Sequence, residues 1–371
     1  MVQILVNILY FFVFISGLNN SNSDKIVEPT NRDLKYDLRK SLPSNYVKDG
    51  SVDYTSYIQQ AISLNDQIVF PGFPILINDN GLRIGSNKKI YFEKGSEIRL
   101  KPSSKKIYNI LHLRNVKNVE LINPVIKGDR NSHIGKVGEW GMGIGIYSSD
   151  NIKIVNPRIS NCWGDGIYLG KSNGGTNNNI QISNAYCINN RRDAISIITV
   201  SGLLLESPYA GHSNGIAPMA GINVEPNDPT DLVQNIKIIN PKTEYNKGAG
   251  ISIGLSKLYG KADKKVTIEI INHVDLKSNI GLKSSCYPKR KSGNEEVRGS
   301  INISNPVWIK NSKVPLQTAL FQKDLKISIF KPTIVDMNNK SLPKEAMRKM
   351  LTSKGNINSH ANYYVSYKED K

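Results

Sequence analysis

The chain has 371 residues, 39% of them hydrophobic, with Gly and Asn abundant and long helical patterns few, so it can bury a large core as one long domain or two, and wholesale disorder is excluded. Lys and Arg number 49 against 31 Asp and Glu, a formal charge of +18, which points to an anionic partner such as an acidic polysaccharide, a membrane surface or nucleic acid. The basic residues are spread along the chain and no aromatic-interleaved nucleic-acid motif occurs, so nucleic acid is set aside.

In chain order, an apolar run from Ile4 to Leu18 comes first, followed by small and polar residues. It is shorter than the roughly 20 apolar residues a membrane span needs, so residues 1–24 read as a signal peptide and the protein as secreted, extracellular or periplasmic, with no membrane contact beyond export. No Lys or Arg precedes the run and Asn7 interrupts it, which leaves an uncleaved anchor as the alternative. Residues 25–50 read as a linker or arm without a core of its own. "DYTSYIQQAISL" then places Tyr54, Tyr57, Ile58, Ala61 and Ile62 on one helical face with Asp53 as N-cap. The strands "DQIVF", "FPILI", "KKIYF" and "SEIRL" follow.

From Val119 onward the pattern I-x-I-x-N-P or a near variant recurs eight times, at Val119, Ile152, Ile180, Leu203, Ile236, Ile268, Ile301 and Ile327, with offsets of 23 to 33 residues. A second apolar alternation lies between these: Ile144/Ile146, Ile167/Leu169, Ile195/Ile197, Ile222/Val224, Ile251/Ile253 and Ile280/Leu282. Short period-2 strands bounded by Asn, Pro and Gly cannot build a helical solenoid. They predict an all-β fold, a right-handed parallel β-helix over residues 51–336, in which inward aliphatic side chains stack from coil to coil. Residues 337–371 read as a short helix, "LPKEAMRKMLTSKG" with Gly355 as its stop, and a polar tail. Cys162, Cys187 and Cys286 lack CxxC spacing and read as buried packing residues, with at most one pair bridged.

Asp165 in "NCWGDGIYLG" and Asp193 in "NNRRDAISII" each stand two residues before an alternating apolar pair and 28 residues apart. Equivalent positions of adjacent coils lie about 4.8 Å apart, so the two carboxyls should be neighbours, and one pKa should rise unless a cation intervenes. They read either as a catalytic or binding pair or as turn formers bonded to the backbone. Asn223 and Glu225 should point outward alongside Tyr168 and Ser196, and Lys283 should fill the same outward slot two coils later. The long loop Gly128 to Met142 carries His133, Glu139 and Trp140, and binding residues concentrate on such loops. Trp140 and Trp163 suit stacking on sugar rings or packing in the core.

The capping helix, the "VFPGFPILI" strand and the N-x-x-I-x-N-P coils resemble the pectin-lyase-like right-handed parallel β-helix superfamily over roughly residues 45–336, nearest to the polygalacturonase-type glycoside hydrolases. "WGDGIYL" resembles that family's N-T-D-G-I-x-I and "RRDAISI" its G-D-D-C-I-x-I, which implies that Asp165 and Asp193 flank the hydrolytic water. "GAGISIG" and "GLK" resemble its third and fourth motifs, but Ala249 stands for the family's His, Gly281 for its Arg, and Arg192 for its proton donor. The resemblance implies a polysaccharide-degrading hydrolase with Asp165, Asp193 and Glu225 as catalytic groups, Glu225 or Glu139 supplying the missing acid. Arg192, Lys283, Tyr168, Asn223, Trp140, Glu139 and His133 are the expected substrate contacts, and no metal or cofactor is implied. Two alternatives stand: a lyase with Arg192 or Arg191 as base and Ca²⁺ on the Asp pair, and a non-catalytic binding or adhesin-type β-helix. The expected partner in each case is an acidic polysaccharide; the oligomeric state is open.

Overall fold

The residue that ends each I-x-I-x-N-P unit is where the chain turns. Asn123, Asn156, Asn184, Ser207, Asn240, Asn272, Asn305 and Lys331 have φ between 48° and 57°, the left-handed region, in this computed structural model. Asn tolerates that region because its short amide bonds locally, whereas most L-residues lose roughly 1–2 kcal/mol there. The side chains also stack between coils: the Asn156 amide donates to Asn123 at 2.9 Å, Asn184 to Asn156 at 2.9 Å, Asn272 to Asn240 at 2.9 Å and Asn305 to Asn272 at 3.0 Å. Asn156→Ala is expected to lower stability by roughly 1–2 kcal/mol in urea unfolding, and Asn156→Gly by less, because glycine restores the backbone freedom but not the ladder.

The structure describes residues 35–259, 265–287, 297–320, 324–352 and 363–366; the apolar N-terminal run, residues 25–34 of the expected arm and Gly355 lie outside them. Every turn of the chain adds one strand to each of three parallel sheets, and among the described residues these hold twelve, ten and nine strands. One coil runs from Lys117–Ile122 in the first sheet through Val125–Lys127 in the second to Trp140–Tyr147 in the third, and returns as Asp150–Val155. This is the right-handed parallel β-helix that the repeats predict. Val119, Ile152, Ile180, Leu203, Ile236, Ile268, Ile301 and Ile327 form one register column, none more than 2% exposed. A ladder of this kind supplies the hydrophobic stabilisation, about 25 cal/mol per Å² buried, that a single thin coil cannot.

The third-sheet column runs Ile144, Ile167, Ile195, Ile222, Ile251, Leu282. The expected pair Ile280/Leu282 is therefore out of frame by two residues. Ser284, not Leu282, lies beside Ile253, and Ile280 lies beside Ala249.

The ends differ from expectation in three places. Residues of the supposed linker already belong to the fold: Tyr36–Asp37 pairs with Gln67–Phe70, and Leu38 is wholly buried. Helix Thr55–Leu64 covers this end of the stack with Ile58, Ala61 and Ile62, but Tyr57 is 42% exposed and Tyr54, not Asp53, is the N-cap residue. Asp53 still accepts the Thr55 N–H at 3.0 Å. Helix Lys344–Thr352 buries Met347 and Leu351, and the polar tail contributes a strand, Tyr363–Ser366, beside Leu325–Phe330. The three cysteines are buried free thiols.

Candidate functional site

The corner between the second and third sheets varies in length from coil to coil, and it carries the chemistry. At this corner the backbone keeps its register: Gly143 N–H donates to the Asp165 carbonyl, Gly166 to that of Asp193, and Ala194 to that of Ala220. Met142, Asp165, Asp193 and Ala220 therefore stack on successive coils. Gly166 is required here, because a Cβ would sit 2.6 Å from the Ala194 carbonyl oxygen.

The two carboxyls are neighbours, as their equal spacing predicts, and both are fully buried. Asp165 Oδ1 accepts the Asp193 N–H at 2.9 Å, and Asp193 Oδ1 accepts the Ala220 N–H at 2.7 Å, so each ties its coil to the next. Asp193 Oδ2 accepts from Ser196 Oγ at 3.1 Å and from Asn223 Nδ2 at 3.0 Å. A cation does intervene. Arg192 Nη1 lies 2.9 Å from Asp165 Oδ2 and 3.2 Å from Asp193 Oδ2, Nη2 lies 2.9 Å from Glu225 Oε2, and Nε lies 4.0 Å from Glu139 Oε2.

One guanidinium thus faces four carboxyls, an excess of negative charge of which the Asp165 and Asp193 share is fully buried. Burial pushes the Asp165 carboxyl up against the pull of Arg192. Burial also pushes Asp193 up, to about 8, with the Asp165 charge adding to the effect and Arg192 opposing it. Burial works against the Arg192 charge too, but the carboxyls outweigh it and hold the guanidinium protonated beyond its ordinary range. Both shifts favour keeping a proton within the buried pair.

These facts reassign the expected roles. Asp165 and Asp193 expose no surface, so the water-holding role implied by the family resemblance is closed to them in this state, and the turn-forming alternative describes their hydrogen bonds. Arg192 is engaged by Asp165, Asp193 and Glu225, which favour its charged form, so as a lyase base it would first have to leave those contacts. It also occupies the point on which the two Asp side chains converge, so Ca²⁺ there would have to displace it. Arg191 lies over the Trp163 ring at 3.8 Å and donates to the Gly138 carbonyl.

The solvent-facing acids are Glu225, 40% exposed, and Glu139, 30% exposed. Asn223 is buried and also donates to Glu225 Oε2 at 3.0 Å, so it positions that carboxylate rather than reaching a ligand. His133 is not a surface contact either. Its ring is fully buried, bonded through Nδ1 to Asp129 at 2.7 Å and stacked on Trp163 at 4.0 Å. With Arg191 on its other face, Trp163 has no face left for a sugar. Trp140 is 44% exposed and stands beside Ile107.

The outward row of the third sheet runs Arg83, His112, Gly145, Tyr168, Ser196, Asn223, Ser252, Lys283, Gln317, one residue per coil. Tyr168 and exposed Lys283 therefore lie on the same face as Glu225, on opposite sides of it. Sequence reasoning did not single out the Arg83 and His112 end of this row, although "ILHLRN" alternates His112 and Arg114 outward between inward Leu111 and Leu113.

The fold and the corner define a parallel β-helix with an outward polar row and a carboxyl–guanidinium cluster at its middle. No protein-family model matches the sequence. The chain is 26% identical over 254 residues to the uncharacterized protein YclG of Bacillus subtilis, covering 59% of this chain and 41% of that one. It is 25% identical over 231 residues to the SPbeta prophage-derived uncharacterized protein YorA of the same organism, covering 56% and 37%. The chain thus spans less than half the length of these curated relatives. Among solved structures, it resembles the A-module of Azotobacter vinelandii mannuronan C-5 epimerase AlgE4 with TM-score 0.55 and 11% identity, over 89% of this chain and 95% of that one. It resembles the Streptococcus pneumoniae surface adhesin PfbA with TM-score 0.52 and 12% identity, over 90% of each chain. The tailspike of Escherichia coli bacteriophage HK620, in complex with a pentasaccharide, gives TM-score 0.58 and 13% identity over 82% of this chain and 60% of that one. Identities this low establish a shared fold.

Proposed function

We propose that the chain binds an acidic polysaccharide along the outer face of the third sheet and hydrolyses it, with Glu225 and Glu139 as the acid–base pair. The observation that carries this reading is the cluster itself: two solvent-facing carboxyls gathered on one guanidinium that is 13% exposed, which two wholly buried aspartates hold in place. A frame of this kind fixes reacting groups without spending their exposed oxygens. Because both Glu lie against the same guanidinium, at 2.9 and 4.0 Å, they are held close enough to act on one bond. The excess of 49 basic over 31 acidic residues favours an anionic chain as ligand. Among the structural neighbours, one is a mannuronan epimerase and another holds a pentasaccharide, which supports a carbohydrate ligand on this fold.

The test is incubation of the purified protein with a panel of uronate-containing polysaccharides, reading reducing ends together with unsaturated-uronate absorbance. Reducing ends without absorbance are expected; both together would mean a lyase. Neither signal, with binding retained, would establish the second reading, a non-catalytic binding β-helix, which the complete hydrogen bonding of Asp165 and Asp193 favours. In either case binding should weaken with salt as the screening length falls from about 10 Å at 0.1 M to about 3 Å at 1 M. Lys283→Gln should weaken acidic ligands more than neutral ones, measured by calorimetry. Equal losses for both ligand types would remove Lys283 from the binding row.

A further inference from the structure

On the side of the row towards the N-terminal helix lies a group of cations that the cluster at Arg192 does not involve. Arg83 and His112 are cross-strand neighbours on the outward face, one strand spacing of about 4.8 Å apart. Arg114, two residues beyond His112 on the same face, donates from Nε to His112 Nε2 at 2.9 Å. Its Nη1 donates to Ser172 Oγ at 3.0 Å, and its guanidinium lies over the Tyr147 ring, 4.4 Å from the centroid. Arg114 is therefore fixed in direction before any ligand arrives.

Arg39, Arg99 and Arg192 are each ion-paired with carboxylates. Arg83 and Arg114 have no carboxylate partner among the described residues. Burial together with the Arg114 and Arg83 charges holds the His112 imidazole neutral, its pKa lowered to about 4. Because Nε2 accepts from Arg114, the imidazole proton resides on Nδ1, which makes that nitrogen a donor. Two like charges around a neutral donor, without a counter-ion, are an unfavourable arrangement that a bound anion relieves. The tyrosines Tyr147 and Tyr168, with ring centroids 5.7 Å apart, connect this group to the corner that holds Arg192.

We propose that Arg83, His112 and Arg114 form a binding site for an anionic substituent of a glycan, a carboxylate or a sulfate ester, four to five coils from Glu225 on the same face. The site rests on the glycan-binding reading of that face and gives the bound chain a fixed direction. A planar guanidinium held over a tyrosine matches the bidentate geometry of either anion.

The experiment follows the His112 imidazole by NMR in the full chain, during titration with sodium glucuronate, with sodium sulfate and with glucose at constant ionic strength. Saturable shifts of His112 are expected with at least one anion and none with glucose. The bound anion should also move the His112 titration midpoint upward by about 1 pH unit or more. Response to glucuronate alone identifies a carboxylate site, to sulfate alone a sulfate-ester site, and to both a general anion site. Arg114→Gln should weaken the anion at least tenfold, while Lys326→Gln, on a strand of the first sheet, should leave the His112 response unchanged. A linear, non-saturating response, or anion binding in Arg114→Gln as tight as in the parent, would overturn the proposal. Since no turnover is read, a failed polysaccharide assay with a responsive His112 rejects the hydrolase and keeps this site. Turnover with a silent His112 does the reverse.

Discussion

Arg192→Gln should lose about 3–5 kcal/mol of stability at neutral pH, the cost of leaving buried charge without its partner. The neutral amide cannot offset Asp165 and Asp193, both fully buried, so one or both must take up protons in the folded state. Their folded pKa values then rise further above the unfolded value of about 4. A carboxyl whose folded pKa is raised binds more protons folded than unfolded, so stability falls as pH rises between the two values. The parent protein already has this slope through Asp193, whose folded pKa of about 8 places the decline between about pH 4 and pH 8. The variant should therefore nearly match the parent at about pH 4 and fall behind it as pH rises through the parent's carboxyl pKa values, with a clear deficit by about pH 8 that grows further above it. Urea midpoints at the two pH values check this, and equal deficits at both would mean that Arg192 acts by packing alone. Adding Asp165→Asn and Asp193→Asn to Arg192→Gln should recover much of the loss at high pH, because the charges needing compensation are gone.

Glu225→Gln should reduce polysaccharide turnover by roughly 10²–10⁴-fold, the usual contribution of a positioned acid or base. Glu139→Gln should do the same. Stability should change by no more than about 1 kcal/mol in either, since the Glu225 side chain is 40% exposed and its ion pair is solvent-screened. The double variant should be scarcely slower than either single one, because two carboxyls acting on one bond form a unit. The two halves of the cluster are thus separable by measurement: Arg192 and the aspartates report in unfolding, Glu225 and Glu139 in turnover. Full activity in a folded Glu225→Gln protein would remove it from the chemistry.

Much of the fold is written in local period. Inward residues alternate every second position, and each coil repeats the pattern of the last, so Ile152, Ile180, Leu203 and Ile236 had to stack whatever the loops did. The shared spacing of Asp165 and Asp193 likewise put them side by side. The outward placement of Tyr168 and Lys283 followed from the same alternation. The frame of the last expected pair did not, because Ser284 takes the inward place of an aliphatic residue there.

The direction in which a corner side chain points is decided otherwise. Period-2 alternation stops at the turn between the second and third sheets, so the sequence determined that the aspartates are adjacent but not that they face backbone N–H groups. Only packing placed Arg192 between them and solvent, stacked His133 on Trp163, and drew Glu139 from a long loop to within 4.0 Å of the same guanidinium that Glu225 contacts. Charges as far apart in the chain as Glu139 and Glu225, 225 − 139 = 86 positions, meet there because burial makes unpaired ions costly, and that cost depends on the assembled environment rather than on any local pattern.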